Sequence, residues 1–384
     1  MRILMANQAL TADISGADSG QAIQEVLQAE QQDLEIVSLP FNGELGQIIA
    51  GMQQWREGRL ADFTFYGPTW ASTQTTYLVT TLQNRRTALI DTTSFSNPQL
   101  SQTYDNHDLF HASSYGLGQL ILDAVTNEAQ EIVLILGETG MIDGGLGLLQ
   151  ALGAVITDES GDPIPVGENP LINFGAIDLA KTIELLQPVH LTILTQEQTI
   201  YTGHESGIVR AGKKLGLQSE QVVRLDVRAG AFNRMLRNLF DIDLTQIVGA
   251  GAGGGIAGAL ACLGATIESD PFAWLLQTLE LRKMIAGFDT ALLTTGAVNA
   301  TFKDSLIAHL AEMCATMKVP TILQTLSRSL PLSATPWSTV SIIVLPSLTG
   351  LQVPHSFDEV NPGRAELLQS LSVSTRELLK LLQE

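Results

Sequence analysis

The chain has 384 residues, too many for one compact core and enough for two domains of ordinary size. Its 40 acidic residues against 21 basic ones give a formal charge of −19, a field that repels polyanions and excludes nucleic acid and anionic membrane surfaces as expected partners. Hydrophobic residues make up 45%, but uninterrupted apolar runs such as Ile132–Leu136 fall far below the roughly 18 residues that cross a bilayer, so no membrane span is expected.

In chain order, Met1–Ala6 reads as a strand. It carries one arginine and no signal-peptide pattern, so a cytoplasmic location is expected. A helix follows over Ser15–Ala29, then a strand over Leu34–Leu39, a helix over Glu44–Trp55 and a short strand near Phe63–Tyr66. This βαβαβ order predicts a parallel sheet with right-handed crossovers. Thr87–Asp91 is a further strand, and the polar stretch after it is a candidate domain boundary. Tyr115–Ala129 has helical periodicity. Ile132–Gly153 then runs from five apolar residues through a glycine-punctuated turn into a helix carrying Leu146, Leu148, Leu149 and Leu152.

Ala154–Pro163 reads as a strand and hairpin, and His190–Leu194 as a strand. A second glycine-rich loop opens a helix over Val248–Leu263. One helix over Phe272–Ala286, a strand at Ala291–Leu293, a helix over Asp304–Met317, strands at Thr321–Gln324 and Val340–Leu345, and a terminal helix over Arg364–Leu382 complete the pattern. The two cysteines, Cys262 and Cys314, fall within apolar helical patterns far apart in sequence, which fits core residues rather than a disulfide or a cysteine metal site.

Several stretches carry chemistry in principle. Open α/β sheets bind ligands beyond the carboxyl ends of their strands, where glycine loops and helix N-termini turn N–H groups toward an anion. Asp143, at the start of a predicted helix, can cap it, hold a metal or hold a substrate hydroxyl. Ser113, Ser114 and Tyr115 stand at another helix start, where hydroxyls cap N–H groups or receive a substrate carboxylate or phosphate. Gly249, Gly251 and Gly254 satisfy G-x-G-x-x-G, with Glu268 or Asp270 at the spacing of a ribose-binding acid, although tight packing favours the same composition. Gly207, Gly212 and Lys213 resemble a P-loop that Lys214 spoils, since a hydroxyl residue is needed there; a solvated helix face accounts for its cations. His107 and His111, beside Asp105 and Asp108, would share a helical face, but a polar surface loop is the simpler reading and no metal ligands are assigned.

Ser113–Val125, SSYGLGQLILDAV, followed by Leu136–Ala154, LGETGMIDGGLGLLQALGA, resembles the bacterial-type glycerate kinases, whose text there reads approximately S-[WY]-G-T-G-E-L-I and G-G-S-A-T-N-D-G-G-x-G-x-x-x-A-L-G-A. Asp143, Gly144, Gly145, Gly147 and Ala151–Ala154 match, and the likeness continues through Thr202–Gly207 and Gly249–Leu260. The resemblance implies two α/β domains: a doubly wound, Rossmann-like one built from both chain ends, here 1–85 plus 287–384, and an inserted one over 86–286 carrying the glycine-rich loops. It also implies ATP-dependent phosphorylation of D-glycerate with Mg2+. Asp143, Gln196 and Asn299 then stand at catalytic positions, and Ser113, Ser114, Gly137, Thr139, Gly144, Gly145, Gly251, Gly253 and Gly254 at nucleotide-binding ones.

The departures concern charge. The acid and lysine of A-P-D-S-F-K fall on Gln8 and Thr11, and the acids of A-D-G-G-E-G on Asn42 and Leu45. Ile142 and Glu138 replace an asparagine and a glycine of the central loop. The acid of C-D-V-T-N-P-L falls on Gln196, while the acids and arginine of G-E-G-R-I-D fall on Thr295, Asn299 and Ala297. Amides keep hydrogen bonds and shape but neither accept a proton nor bind Mg2+ as carboxylates do. Two functions follow as alternatives: a divergent glycerate kinase with weak or altered activity, or an inactive paralogue that binds or regulates. Arg228, Arg234, Lys303 and Asp304 are the charges that could compensate.

Overall fold

The structure is a computed structural model that describes residues 1–31, 33–96, 109–330, 340–345 and 363–383. The chain divides into a terminal unit, Met1–Trp55 with Phe272–Glu384, and a central unit, Arg56–Pro271.

The terminal unit is built on a five-stranded parallel sheet. Its strands are β1 (Arg2–Asn7), β2 (Glu35–Ser38), β11 (Thr290–Val298), β12 (Thr321–Arg328) and β13 (Val340–Val344), in the order β13-β12-β11-β1-β2. Helix α1 (Gly16–Glu30) joins β1 to β2, α2 (Ile48–Trp55) follows β2, and α11 (Leu306–Thr316) joins β11 to β12. The run ILMAN in β1 is buried throughout, as expected of a parallel strand covered on both faces. A capping box between Ser15 and Asp18 starts α1. The terminal helix α12 (Arg364–Gln383) adds Leu367, Leu371, Leu378 and Leu379 to a core with Ile3, Ile23 and Leu27, and Arg364 and Arg376 bond Asp18 and Glu30 of α1 at 2.7 Å each. The single helix expected over Phe272–Ala286 is two, α9 (Pro271–Thr278) and α10 (Leu281–Ile285), because Glu280 takes a left-handed φ of 53° between them.

The central unit has a six-stranded mixed sheet in the order β10-β9-β6-β5-β4-β3. Strands β5 (Arg85–Asp91), β6 (Glu131–Ile135), β9 (His190–Leu194) and β10 (Thr266–Glu268) are parallel, whereas β3 (Gly58–Tyr66) and β4 (Ser72–Leu82) run as an antiparallel meander into β5. Here the expectation of one parallel βαβαβ sheet is corrected. The strand near Phe63–Tyr66 pairs with β4 instead of joining β1 and β2, so residues 56–85 lie in the central unit. The Thr-rich β4 was not anticipated. Its turn into β5 is Gln83–Asn84, both at positive φ, as a two-residue hairpin requires.

Helices α3 (Tyr115–Thr126), α4 (Leu146–Ala151), α5 (Ala180–Leu186), α6 (Gly207–Lys214), α7 (Ser219–Phe240) and α8 (Ile256–Ala261), with a small ladder of β7 (Val155–Thr157) and β8 (Ala176–Asp178), complete the unit. Its core gathers Leu117, Leu120, Leu134, Leu148, Tyr201, Phe232 and Ile256 around the sheet. Among the described residues no helix is long and apolar enough to cross a membrane.

Candidate functional site

The loop after β6 and the start of α3 meet at Asp143. Its carboxylate is 0% exposed and accepts five distinct donors. Oδ2 receives the Ser114 N–H at 2.7 Å, the Ser114 hydroxyl at 2.9 Å, the Gly147 N–H at 3.0 Å and the Ser113 hydroxyl at 3.3 Å; Oδ1 receives the Gly145 N–H at 3.0 Å. One carboxylate thus serves the first turns of both α3 and α4. Burial pushes its pKa up, and the donors from Ser114, Gly145 and Gly147 pull the other way. Ser114 Oγ also accepts the Leu148 N–H at 2.9 Å, so its hydroxyl ties α4 to α3. A side chain at Gly147 would run into Ser113 and Asp143. The anion position expected at Ser113 and Ser114 is therefore filled by the protein's own carboxylate. Of the other loop residues, Thr139 shares a hydrogen bond with Ser96 at 2.9 Å and accepts the Met141 N–H at 2.9 Å, while Gly137 abuts Thr93.

The second glycine-rich loop lies directly against the first. Gly144 donates its N–H to the Gly254 carbonyl at 3.1 Å, and Tyr201, 0% exposed, donates its hydroxyl to the Gly144 carbonyl at 2.9 Å. Gly253, Gly254 and Gly255 are all left-handed, at φ of 61°, 66° and 99°, and bring the backbone against Leu136, Met141 and Gly144 with no room for a side chain. Gly251 packs on Ile200 and Gly207 and donates to the Thr199 carbonyl at 2.9 Å. G-x-G-x-x-G here follows a 3-10 turn at Leu244–Gln246 rather than a strand, so the context of a dinucleotide fingerprint is missing and close packing accounts for its glycines.

One N–H of this loop points at a carboxylate. Gly253 donates to Glu197 Oε2 at 3.2 Å. Glu197 and the exposed Gln196 follow β9 at its carboxyl end, and Glu197 is half-buried. Burial raises the Glu197 pKa; the Gly253 bond and the cations Arg210 and Lys214 lower it, and Glu138 raises it. Arg210 and Lys214 stand one turn apart on α6, and Lys214 pairs with Glu138. The segment that imitates a P-loop is thus the helix α6, its N-terminus capped by Ser206, whose hydroxyl in turn donates to Asp226 at 2.7 Å. Sequence reasoning passed over Glu197, Tyr201 and Asp226. The acidic residue immediately after Gln196 was the available signal for the first.

In the terminal unit, the strand order reverses between β1 and β11, the place where doubly wound sheets open a crevice at the strands' carboxyl ends. Gln8 follows β1 there and accepts the Thr295 hydroxyl at 3.3 Å. Asn299, exposed just after β11, accepts the Thr301 N–H at 3.1 Å and hydroxyl at 2.8 Å, and Asn42 accepts the Glu44 N–H at 3.1 Å. Amides at three of these positions are therefore engaged in local turns or in each other's neighbourhood. A groove of about 570 Å³ reaches Asn42, lined by α1 and by residues between Ser38 and Gln54.

These donors do not fit a protein-held divalent cation. Asp143 has both oxygens engaged, Gln8, Gln196 and Asn299 are neutral, and among the described residues no three His, Cys, Asp or Glu side chains converge as metal ligands. His107, Asp105 and Asp108 lie outside the described residues. Cys262 and Cys314 are free thiols, with burial pushing their pKa values up to about 12 and about 11.

Comparison with known proteins places this architecture. A crystal structure of a protein assigned as glycerate kinase 2 from Salmonella typhimurium LT2 shares the fold, with a TM-score of 0.79 and 21% identity over 100% of this chain and 98% of that one. The chain belongs to the glycerate kinase family, whose match covers residues 3–335. It is similar to the glycerate 2-kinase of Escherichia coli (strain K12), 25% identical over 270 residues and 70% of either chain. The glycerate kinase of Haemophilus influenzae is 23% identical over 300 residues, 78% of this chain and 79% of that one.

Proposed function

We propose that this chain is a phosphotransferase of the glycerate kinase type. It passes the γ-phosphoryl group of ATP to a hydroxyl of a small hydroxy acid such as D-glycerate, with turnover below the usual kinase range. Family membership over residues 3–335 is the observation that carries the reaction type. The transfer forms a bond from the acceptor oxygen to phosphorus and breaks the bond from phosphorus to the departing ADP. It asks little covalent chemistry of the protein and much positioning and charge balance.

The lowered turnover follows from the side chains at positions where the family's motifs carry acids. Gln8, Asn42, Gln196, Thr295 and Asn299 can orient hydroxyls through hydrogen bonds, but none accepts the proton that the acceptor hydroxyl gives up. Asp143 keeps the family's acid, yet its lone pairs are directed at Ser113, Ser114, Gly145 and Gly147.

A second reading rests on that same carboxylate: a paralogue that keeps the fold and binds a small molecule without transferring phosphate. An assay with ATP, magnesium and D-glycerate tests both. Measurable transfer slower than about 1 per second supports the first reading. No transfer, with ATP binding still visible by calorimetry, supports the second. Turnover of about 1–100 per second would overturn the reduced-activity proposal.

A further inference from the structure

The Glu197 carboxylate accepts the Gly253 N–H at 3.2 Å from a run of left-handed glycines, and α6, whose first residue Gly207 packs on Gly251 of the same loop, carries the cations Arg210 and Lys214; their charges lower the Glu197 pKa, while Glu138, which Lys214 binds, raises it. A backbone N–H beside a helix that carries a guanidinium and an ammonium is a donor set that proteins turn toward phosphate. It sits beyond the carboxyl ends of the neighbouring parallel strands β6 and β9, where open α/β sheets receive ligands. In a chain of net charge −19, two cations one helical turn apart at that edge oppose the prevailing field. The carboxylate among them has the charge and oxygen geometry of a small anion.

We propose that Gly253, Arg210 and Lys214 form a phosphate-binding site whose anion position is held by Glu197 until a phosphate group displaces it. Glu197 is suited to exchange in a way Asp143 is not. It is half-buried rather than fully enclosed, and one backbone bond holds it where five donors hold Asp143. Lys214 bridges to Glu138 at an exposed site, so swinging it toward an incoming phosphate gives up only a weak surface pair. The natural anion being a nucleotide phosphate rests on the kinase reading; the site itself does not.

The discriminating measurement is calorimetric binding of inorganic pyrophosphate to the full chain at low ionic strength. Glu197→Gln removes the competing charge and keeps the side chain's size, and is expected to tighten pyrophosphate binding about tenfold. Glu184→Gln, on the exposed face of α5, makes the same change in net charge and is expected to alter binding less than about twofold. The double variant R210A/K214A is expected to weaken binding about tenfold or more. If Glu197→Gln matches Glu184→Gln, or weakens binding as it would were Glu197 a base or a cation ligand, the proposal is overturned. Should Glu197→Gln not fold, unchanged pyrophosphate affinity in the folded R210A/K214A protein overturns it equally. Pyrophosphate binding that responds as stated without any transfer to D-glycerate sinks the kinase reading alone. Transfer with no response to Glu197→Gln sinks this proposal alone.

Discussion

Ser114 gives Asp143 two hydrogen bonds, from its backbone N–H at 2.7 Å and from its hydroxyl at 2.9 Å, and both meet Oδ2 inside a fully buried contact between the starts of α3 and α4. Two stretches that carry the family likeness are thereby joined through Asp143 and Ser114. Removing either partner leaves buried donors or acceptors unmatched, which costs more than the bond itself contributes.

Asp143→Ala should be among the most destabilising single changes in the central unit, at about 3 kcal/mol or more, since N–H groups of Ser114, Gly145 and Gly147 lose their acceptor together. Asp143→Asn keeps part of the acceptor set and should cost less. Urea unfolding followed by circular dichroism checks both; a loss of phosphate transfer with no loss of stability would show that the carboxylate acts on substrate instead.

Ser114→Ala should cost about 1–3 kcal/mol, because its hydroxyl also accepts the Leu148 N–H. Combined with Asp143→Ala, the two losses should add to well under their sum, by about 1 kcal/mol or more, as groups in one network do. Additive losses would separate the two residues energetically.

Gly255→Ala should destabilise by about 1–3 kcal/mol. The residue stands at φ 99° with the Gly144 backbone and the Tyr201 ring against the place where a Cβ would go. Thermal unfolding measures this, and an unchanged midpoint would mean the two glycine loops are not packed as described.

Tyr77, fully buried in β4, donates its hydroxyl to Asp123 at 2.6 Å, and burial first, with Asp123 second, raises its pKa to about 12. No tyrosinate absorbance from Tyr77 should develop until the pH nears about 12. Tyr77→Phe should cost about 1–2 kcal/mol by leaving Asp123 short of a donor.

Asp243 has its pKa lowered from 3.8 to about 2, chiefly by the Asn233 and Thr245 hydrogen bonds. A depressed folded-state value means the carboxylate's contribution is complete above its unfolded value of 3.8 and is lost as pH falls toward about 2. Asp243→Asn should therefore narrow its stability gap to the parent protein over that acid window. A gap that stays constant with pH would contradict the assignment.

The physical reasons for what could be read in advance differ from element to element. β1 and β6 were legible because a parallel strand buried on both faces must be apolar along nearly all its length. α12 was legible because its leucines keep a helical period against α1. β4 was not, since STQTTYLVTTL alternates threonines with few apolar residues and is half exposed at the sheet's antiparallel side. The break at Glu280 was hidden because a left-handed residue other than glycine leaves no compositional mark.

The sequence by itself determined the family and its glycine frame, because backbone conformations open chiefly to glycine must be encoded at fixed positions. It also determined that Gln8, Gln196, Thr295 and Asn299 carry no charge, since charge is a property of the residue and needs no neighbour. Only the tertiary structure decided what the remaining acids do. Asp143 and Glu197 are both carboxylates beside glycine loops, yet one is enclosed by five donors and the other is held by a single N–H at a half-buried rim. A carboxylate's role is fixed by how many donors its environment directs at it, and those donors come from segments far apart in the chain.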